Sequence, residues 1–319
     1  MKSLLAFFIM LPAILFSQRF NPEKINTEID GMDDESKVDF INNHFYELYS
    51  ADFDNAIDYT QQAIEISESN QWESKMAYAL MYNGIVNYLR GNYEKAISSF
   101  ISSEIIFLRL EDLNGLARLN NEMANFFQKQ QDFKKSQYHL DQAESYAKKA
   151  NDQVQLGTNY GMRGTFLVRQ DKIEEAQPYF EKVYTIRKSQ NDSVGLGYVY
   201  LNFADYEVFK GSLSKAIDYI DSSNRIREKI NDFQGLAEGM HTMGNAYAEF
   251  GEFTQAKIAF NASNDLSAKF GYLDQIRLNY EALEKIALRR NNFEEAHSYL
   301  QKSQQFSDSL FSLDKTKLI

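Results

Sequence analysis

The four histidines, His44, His139, His241 and His297, are the side chains of this chain best suited to metal or acid–base chemistry. Their placement argues against both. A helical metal site needs two or three converging ligands, commonly three or four residues apart, and no two of these lie that close. The acidic pairs Glu174-Glu175 and Glu294-Glu295 could in principle share a proton. Both pairs fall at the start of a helical pattern, where carboxylates complement the positive end of the helix dipole without any catalytic role. The chain has no cysteine. That removes thiol nucleophiles, zinc–thiolate sites, disulfides and the lipid-bearing cysteine of a bacterial lipoprotein. No phosphate-cradling glycine loop is present, and no Ser, His and Asp share a spacing signal. The sequence predicts no catalytic centre, no metal and no cofactor. A formal charge of −11, with both signs intermixed and no basic stripe, also predicts no nucleic-acid partner.

The elements that would position any functional group recur every 40 residues. Seven segments align without a gap, beginning at Ala51, Gly91, Gln131, Asp171, Gly211, Gly251 and Asn291. Their third residue is large and apolar: Phe53, Tyr93, Phe133, Ile173, Leu213, Phe253, Phe293. Three residues later the column is small, as in Ala56, Ala96, Ser136, Ala176, Ala216, Ala256 and Ala296. Four further on it is large in Phe100, Leu140, Phe180, Ile220, Phe260 and Leu300, with Thr60 the exception. Spacings of three and four mark one face of a helix. A preceding helix carries its own columns, including the small residues Gly84, Ala124, Gly164, Ala204 and Gly244. Each unit thus reads as helix A, a turn rich in Gly, Asn and Asp, then helix B. A hairpin of this kind cannot bury its apolar face alone, so successive units must stack. Only three prolines interrupt the chain; Pro178, inside the fourth helix B, should cost one backbone hydrogen bond and bend that helix.

These columns resemble the tetratricopeptide repeat. Gly84 to Ala96, Gly164 to Ala176 and Gly244 to Ala256 keep the twelve-residue distance of that family, and Gly91-Asn92-Tyr93-Glu94-Lys95-Ala96 is close to its most recognisable segment. The departure is length, since the usual repeat has about 34 residues. The extra residues fall between the Ala of helix B and the small residue of the next helix A, which lengthens both helices at one edge. The resemblance implies an all-α, right-handed superhelical solenoid of seven helix–turn–helix repeats over residues 33–310, binding a protein or peptide segment along a concave groove lined by helix A. His44 and Glu284 replace the small residue in the first and last units, where looser packing is expected.

Carried over column by column, the resemblance implies a banded groove. Its first part is apolar, with Phe45, Tyr78, Met81, Ile85, Tyr88 and Leu89. Its middle is polar and basic: Arg118, Asn121, Asn125, Gln128, Lys129 and Arg169. Tyr198, Leu201, Asp205 and Phe209 follow, then Glu238, His241, Asn245 and Glu249. Asn121 and Asn125, four apart on one helix, could hold a peptide backbone by paired amide hydrogen bonds. Arg118, Lys129 and Arg169 could meet a carboxylate, although the full carboxylate clamp of the family is absent.

The ends carry their own signals. Lys2 precedes an apolar run, Leu4 to Phe16, that closes on Ser17 before Gln18, the pattern of a secretory signal over residues 1–17. The expected location is therefore periplasmic or secreted, with no membrane span in the mature chain. Residues 18–32 read as an N-terminal cap segment, with Pro22 a plausible helix starter. Residues 311–319 read as the start of a further helix or a linker, with Ser312 or Asp314 as its cap. Such an ending resembles the junction in bacterial sensors, so a sensory ectodomain of a histidine kinase or transcription regulator stands as the alternative to a free-standing scaffold.

Overall fold

A computed structural model describes residues 29–51 and 55–316. The secretory segment 1–17, the cap residues 18–28, Phe53 of the first apolar column and residues 317–319 lie outside the described residues. Fifteen helices are described, and no strand occurs among the described residues. The chain divides into two compact units, Met1–Arg163 and Gly164–Ile319.

In the first unit the A-helices are α1 (Asp34–Asn43) with α2 (Phe45–Ala51), α4 (Glu73–Leu89), α6 (Leu113–Lys129) and α8 (Gln153–Arg169, which runs past the unit boundary). The B-helices are α3 (Ala56–Ser69), α5 (Tyr93–Arg109) and α7 (Phe133–Ala150). In the second unit the A-helices are α10 (Ser193–Phe209), α12 (Phe233–Glu249) and α14 (Leu273–Arg289). Its B-helices are α9 (Ile173–Ser189), α11 (Leu213–Lys229), α13 (Phe253–Phe270) and α15 (Phe293–Thr316). Consecutive helices pair as hairpins, and most rods have 17 residues.

The register is finer than the 40-residue columns. From Gln71 to Asn291, every twentieth residue has φ between 53° and 80°, twelve positions in all, and eight of them are Gly or Asn. Those two residue types reach the left-handed region at least cost. At every one of these turns the next residue donates its N–H to the carbonyl five residues back, at 2.8–3.0 Å, from Trp72 to Ser67 through to Asn292 to Ala287. This is a Schellman closure, which satisfies carbonyls left orphaned at a helix end. Asp112, Asp132, Asp152, Asp192 and Asp232 then accept the N–H three residues on, at 2.8–3.1 Å, and cap the following helix. Both connections of each hairpin therefore use the same chemistry.

The core forms where helix B meets the preceding helix A. A Cβ added to Gly84 would lie 2.5 Å from the Phe100 ring, one on Gly164 2.4 Å from Phe180, and one on Gly244 2.7 Å from Phe260. In the hairpins between, Ala124 packs with Leu140 and Ala204 with Ile220. Large ring faces no side chain; smaller aliphatic faces a methyl. In the first hairpin the equivalent register positions hold His44 and Thr60, the larger residue now on helix A, and helix A breaks at His44 into α1 and α2. A recurring polar link ties the pairs: Ser103, Ser223 and Ser263 donate their hydroxyls to the carbonyls of Ala77, Gly197 and Ala237 at 2.7–2.9 Å. Helix α9 continues through Pro178 over its full length. At the far end the register would place a left-handed turn at Phe311 and a helix start near Leu313. Helix α15 instead runs without interruption to Thr316. Phe311 is bulky and apolar, unlike the Gly and Asn found at such turns, and disfavours the left-handed backbone.

Candidate recognition face

The A-helix residues carried over from the family resemblance fall into two groups, those consumed by packing and those left available. In the first unit almost all are consumed. Met81, Ile85, Tyr88 and Phe45 belong to the main core cluster. Phe45 stacks on Tyr82 with ring centroids 4.4 Å apart. The apolar band is interior, not an open surface. Its physical cause is that each A-helix presents this face to the next A-helix along the unit. Tyr78, partly buried, meets Phe107 edge-on and donates its hydroxyl to Asp112 at 3.2 Å.

The polar band is similarly occupied. Asn121 donates to the carbonyl and side-chain oxygens of Gln155, at 3.2 and 3.0 Å, and accepts from Asn159 at 3.0 Å. Asn159 in turn donates to the Leu140 carbonyl and accepts from Arg163, which pairs with Asp141 and Glu144. Asn125 donates to the Tyr88 hydroxyl at 3.1 Å. Asn121 and Asn125 thus join neighbouring A-helices and are not a backbone clamp. The Arg118 guanidinium lies over the rings of Tyr46 and Tyr82, 5.6 and 5.1 Å from their centroids, and Lys129 sits 5.2 Å over Tyr88. Beside Arg118, Tyr46 donates to Glu122 at 2.8 Å. Burial pushes the Glu122 carboxyl up, against the Tyr46 hydrogen bond and the Arg118 charge. The side chain of Arg169 lies outside the described residues.

The second unit differs. Tyr198 lies beneath Arg227, whose Cζ is 4.4 Å from the ring centroid. Arg227 is wholly buried; it pairs with Asp232 at 3.1 Å and donates Nε to Ser223 at 3.1 Å. Added Cβ atoms on Gly197 and Gly235 would fall 2.9 and 1.4 Å from its guanidinium, so these two glycines create its space. Sequence columns missed this centre. Its signal was present: Arg187 with Asp192 repeats the arrangement 40 residues earlier, at 3.1 Å and with Gly195 alongside. Glu238, 3.7 Å from Arg227, has its carboxyl pushed up to about 7 by burial, with the arginine opposing.

Asp205 and Phe209 stand apart. They lie one turn apart on α10, and Phe209 is 38% exposed. Asp205 makes no hydrogen bond or ion pair with any described residue, and burial alone raises its carboxyl to about 7. His241, by contrast, is bonded through Nδ1 to Asn279 Oδ1 at 2.6 Å and is held neutral by burial. His139 bonds Asn120 at 2.9 Å and stacks on Phe127; burial and Lys135 depress it to about 4. Both are satisfied core histidines.

Paired helices of constant length, closed by identical turns and differing mainly on their exposed faces, define a helical-hairpin repeat protein. Residues 115–189 match the family model described as tetratricopeptide repeat. Over that segment the chain is similar to the tetratricopeptide repeat, and the helical hairpins on either side of it keep the same register. Solved structures share the fold: the apo form of the quorum sensor NprR from B. thuringiensis is 13% identical with a TM-score of 0.66, covering 89% of this chain and 80% of that one. A Rap protein complexed with competence and sporulation factor is 14% identical with a TM-score of 0.59, covering 91% and 92%. BtubC from P. vanneervenii is 13% identical with a TM-score of 0.59, covering 67% and 91%. No curated protein sequence matches. Among the described residues, no helix is long and apolar enough to cross a membrane.

Proposed function

We propose that the protein is an exported interaction scaffold, not an enzyme, and that it holds a protein or peptide segment against the A-helix face of its second unit. The supporting observation is Asp205, a half-buried carboxylate with no partner among the described residues, one turn from the half-exposed ring of Phe209. A partly desolvated charge without a nearby counter-charge is unfavourable, and a cationic group supplied from outside relieves that cost. The segment that fits carries a Lys or Arg for Asp205 and an adjacent apolar side chain for Phe209.

Peptide-display selection on the purified protein tests this. Enriched sequences should contain that pair, and binding should weaken at least tenfold in both Asp205→Asn and Phe209→Ser. Selected peptides indifferent to both substitutions would refute the site. Export is tested separately: mass spectrometry of the protein from its native envelope should find a mature N-terminus near Gln18, and recovery of intact Met1 from the cytosol would refute it.

A further inference from the structure

One register position of the A-helices changes character between the two units. In the first it is spent on packing: Phe45 and Ile85 lie in the core, and Asn125 donates to the Tyr88 hydroxyl at 3.1 Å. In the second, beyond the buried Thr165, it holds Asp205 on α10, Asn245 on α12 and Lys285 on α14. None of these three makes a hydrogen bond or ion pair with any described residue. Their charge runs from negative through neutral to positive, and α12 packs against both of the other helices. The charges around them are matched within the unit. Glu281 pairs with Arg277, and Glu238 lies 3.7 Å from Arg227. Arg289 donates to the Ala248 carbonyl at 2.9 Å and lies 4.0 Å from Glu249. Lys285 is close enough to α12 that its charge, after burial, lowers the His241 imidazole. One turn beyond each unpaired charge stands an exposed apolar side chain, Phe209 after Asp205 and Leu288 after Lys285. At the position of Leu288, α12 carries only the small Ala248.

We infer that the segment held by the second unit is an extended, bipolar peptide crossing α10, α12 and α14 in turn, with a Lys or Arg at Asp205 and a carboxylate at Lys285. This second anchor rests on the Asp205 site proposed above and gives its ligand a length and a polarity. Packed helices lie about 8–10 Å apart, so the anchors are separated by about 16–20 Å. An extended chain covers that distance in about five or six residues. The unspent Asn245 amide, midway, offers a donor and an acceptor to backbone groups that an extended chain leaves free and a helix does not. A segment basic throughout would satisfy Asp205 but meet like charge at Lys285, which selects against it.

The experiment is fluorescence anisotropy of labelled synthetic peptides on the full chain. The reference peptide carries Arg-Phe and Leu-Glu, with Arg and Glu about five residues apart. A second has Gln for the Glu, and a third brings Arg and Glu too close together to span three helices. The reference should bind about threefold to fivefold tighter than either, the scale of one exposed ion pair. Lys285→Glu should erase that advantage with helical circular dichroism unchanged. A peptide with Lys for the Glu should then prefer the Lys285→Glu protein to wild type. Asp205→Asn should weaken the reference and Gln peptides alike. If those two bind equally and both respond to Asp205→Asn, the second anchor is wrong while the Asp205 site stands. Binding indifferent to Asp205→Asn, or none at peptide concentrations of about 1 mM, overturns both.

Discussion

Replacing Gly84 by Ala separates close packing from helix propensity, because the two push stability in opposite directions. Inside a solvated helix the change stabilises by about 0.5–1 kcal/mol. Here the new methyl would sit 2.5 and 2.6 Å from two carbons of the Phe100 ring. Carbon atoms prefer about 3.5–4.0 Å. The ring has little room to yield: Phe100 is fully buried, with Phe126 against its edge at a centroid distance of 6.0 Å. Overpacking of this kind costs about 1–3 kcal/mol, so the net expectation is destabilisation by about 1–2 kcal/mol. Phe100→Leu alone leaves a void and should cost a similar amount. The double variant recreates the Ala124–Leu140 pairing of the next hairpin, so it should be more stable than the sum of the singles predicts, by about 1–3 kcal/mol. Urea denaturation followed by circular dichroism measures all four proteins under one protocol. If Gly84→Ala stabilises and the two changes simply add, the size-matching argument is wrong.

Other substitutions test the remaining claims. Met81→Ser, at a position first read as groove surface, should destabilise by about 2–5 kcal/mol, a loss visible as a lower thermal midpoint. Asp232→Ala strands the buried Arg227 and should cost about 3–5 kcal/mol; a change under ~1 kcal/mol would show that the guanidinium is hydrated. Asp205 has a folded value of about 7, above the ordinary carboxylate value of 3.8. The native state thus binds the extra proton, and Asp205 removes stability as pH rises from about 4 to about 7. Asp205→Asn should flatten the slope of thermal midpoint against pH in that window, and an unchanged slope would contradict it. Gln131→Gly, at a turn with φ of 59°, should stabilise by about 1 kcal/mol in the same melt.

The fold was legible because its signals repeat. Asn or Gly at the turn, then Asp at the cap, recurs often enough to fix both helix ends. The pairing of Gly with Phe and Ala with Leu or Ile was also present in the sequence, at Gly84 and Phe100 or Ala124 and Leu140, but it emerges only when two columns are compared with each other. The recognition face was much less legible. A column transferred from a family gives the side of a helix, not whether a neighbouring helix already covers it. Met81 and Ile85 were on the expected side and are buried there, while Asn121 spends its amide on Gln155 and Asn159. Arg227 was overlooked because a lone arginine in a helix B resembles a solvated residue; only the glycines opposite it mark the difference. Asp205 was legible as an A-helix side chain, but its lack of a counter-charge among the described residues is a property of three-dimensional surroundings.

The constant rod length has a consequence for how such a chain can change. One residue inserted into a rod would swing every side chain beyond it by about 100° around the helix axis and misalign each later ring with its matching gap. Gains and losses of whole hairpins preserve every such match. Length variation among close relatives should therefore come in steps of forty residues, with shorter insertions confined to the chain ends.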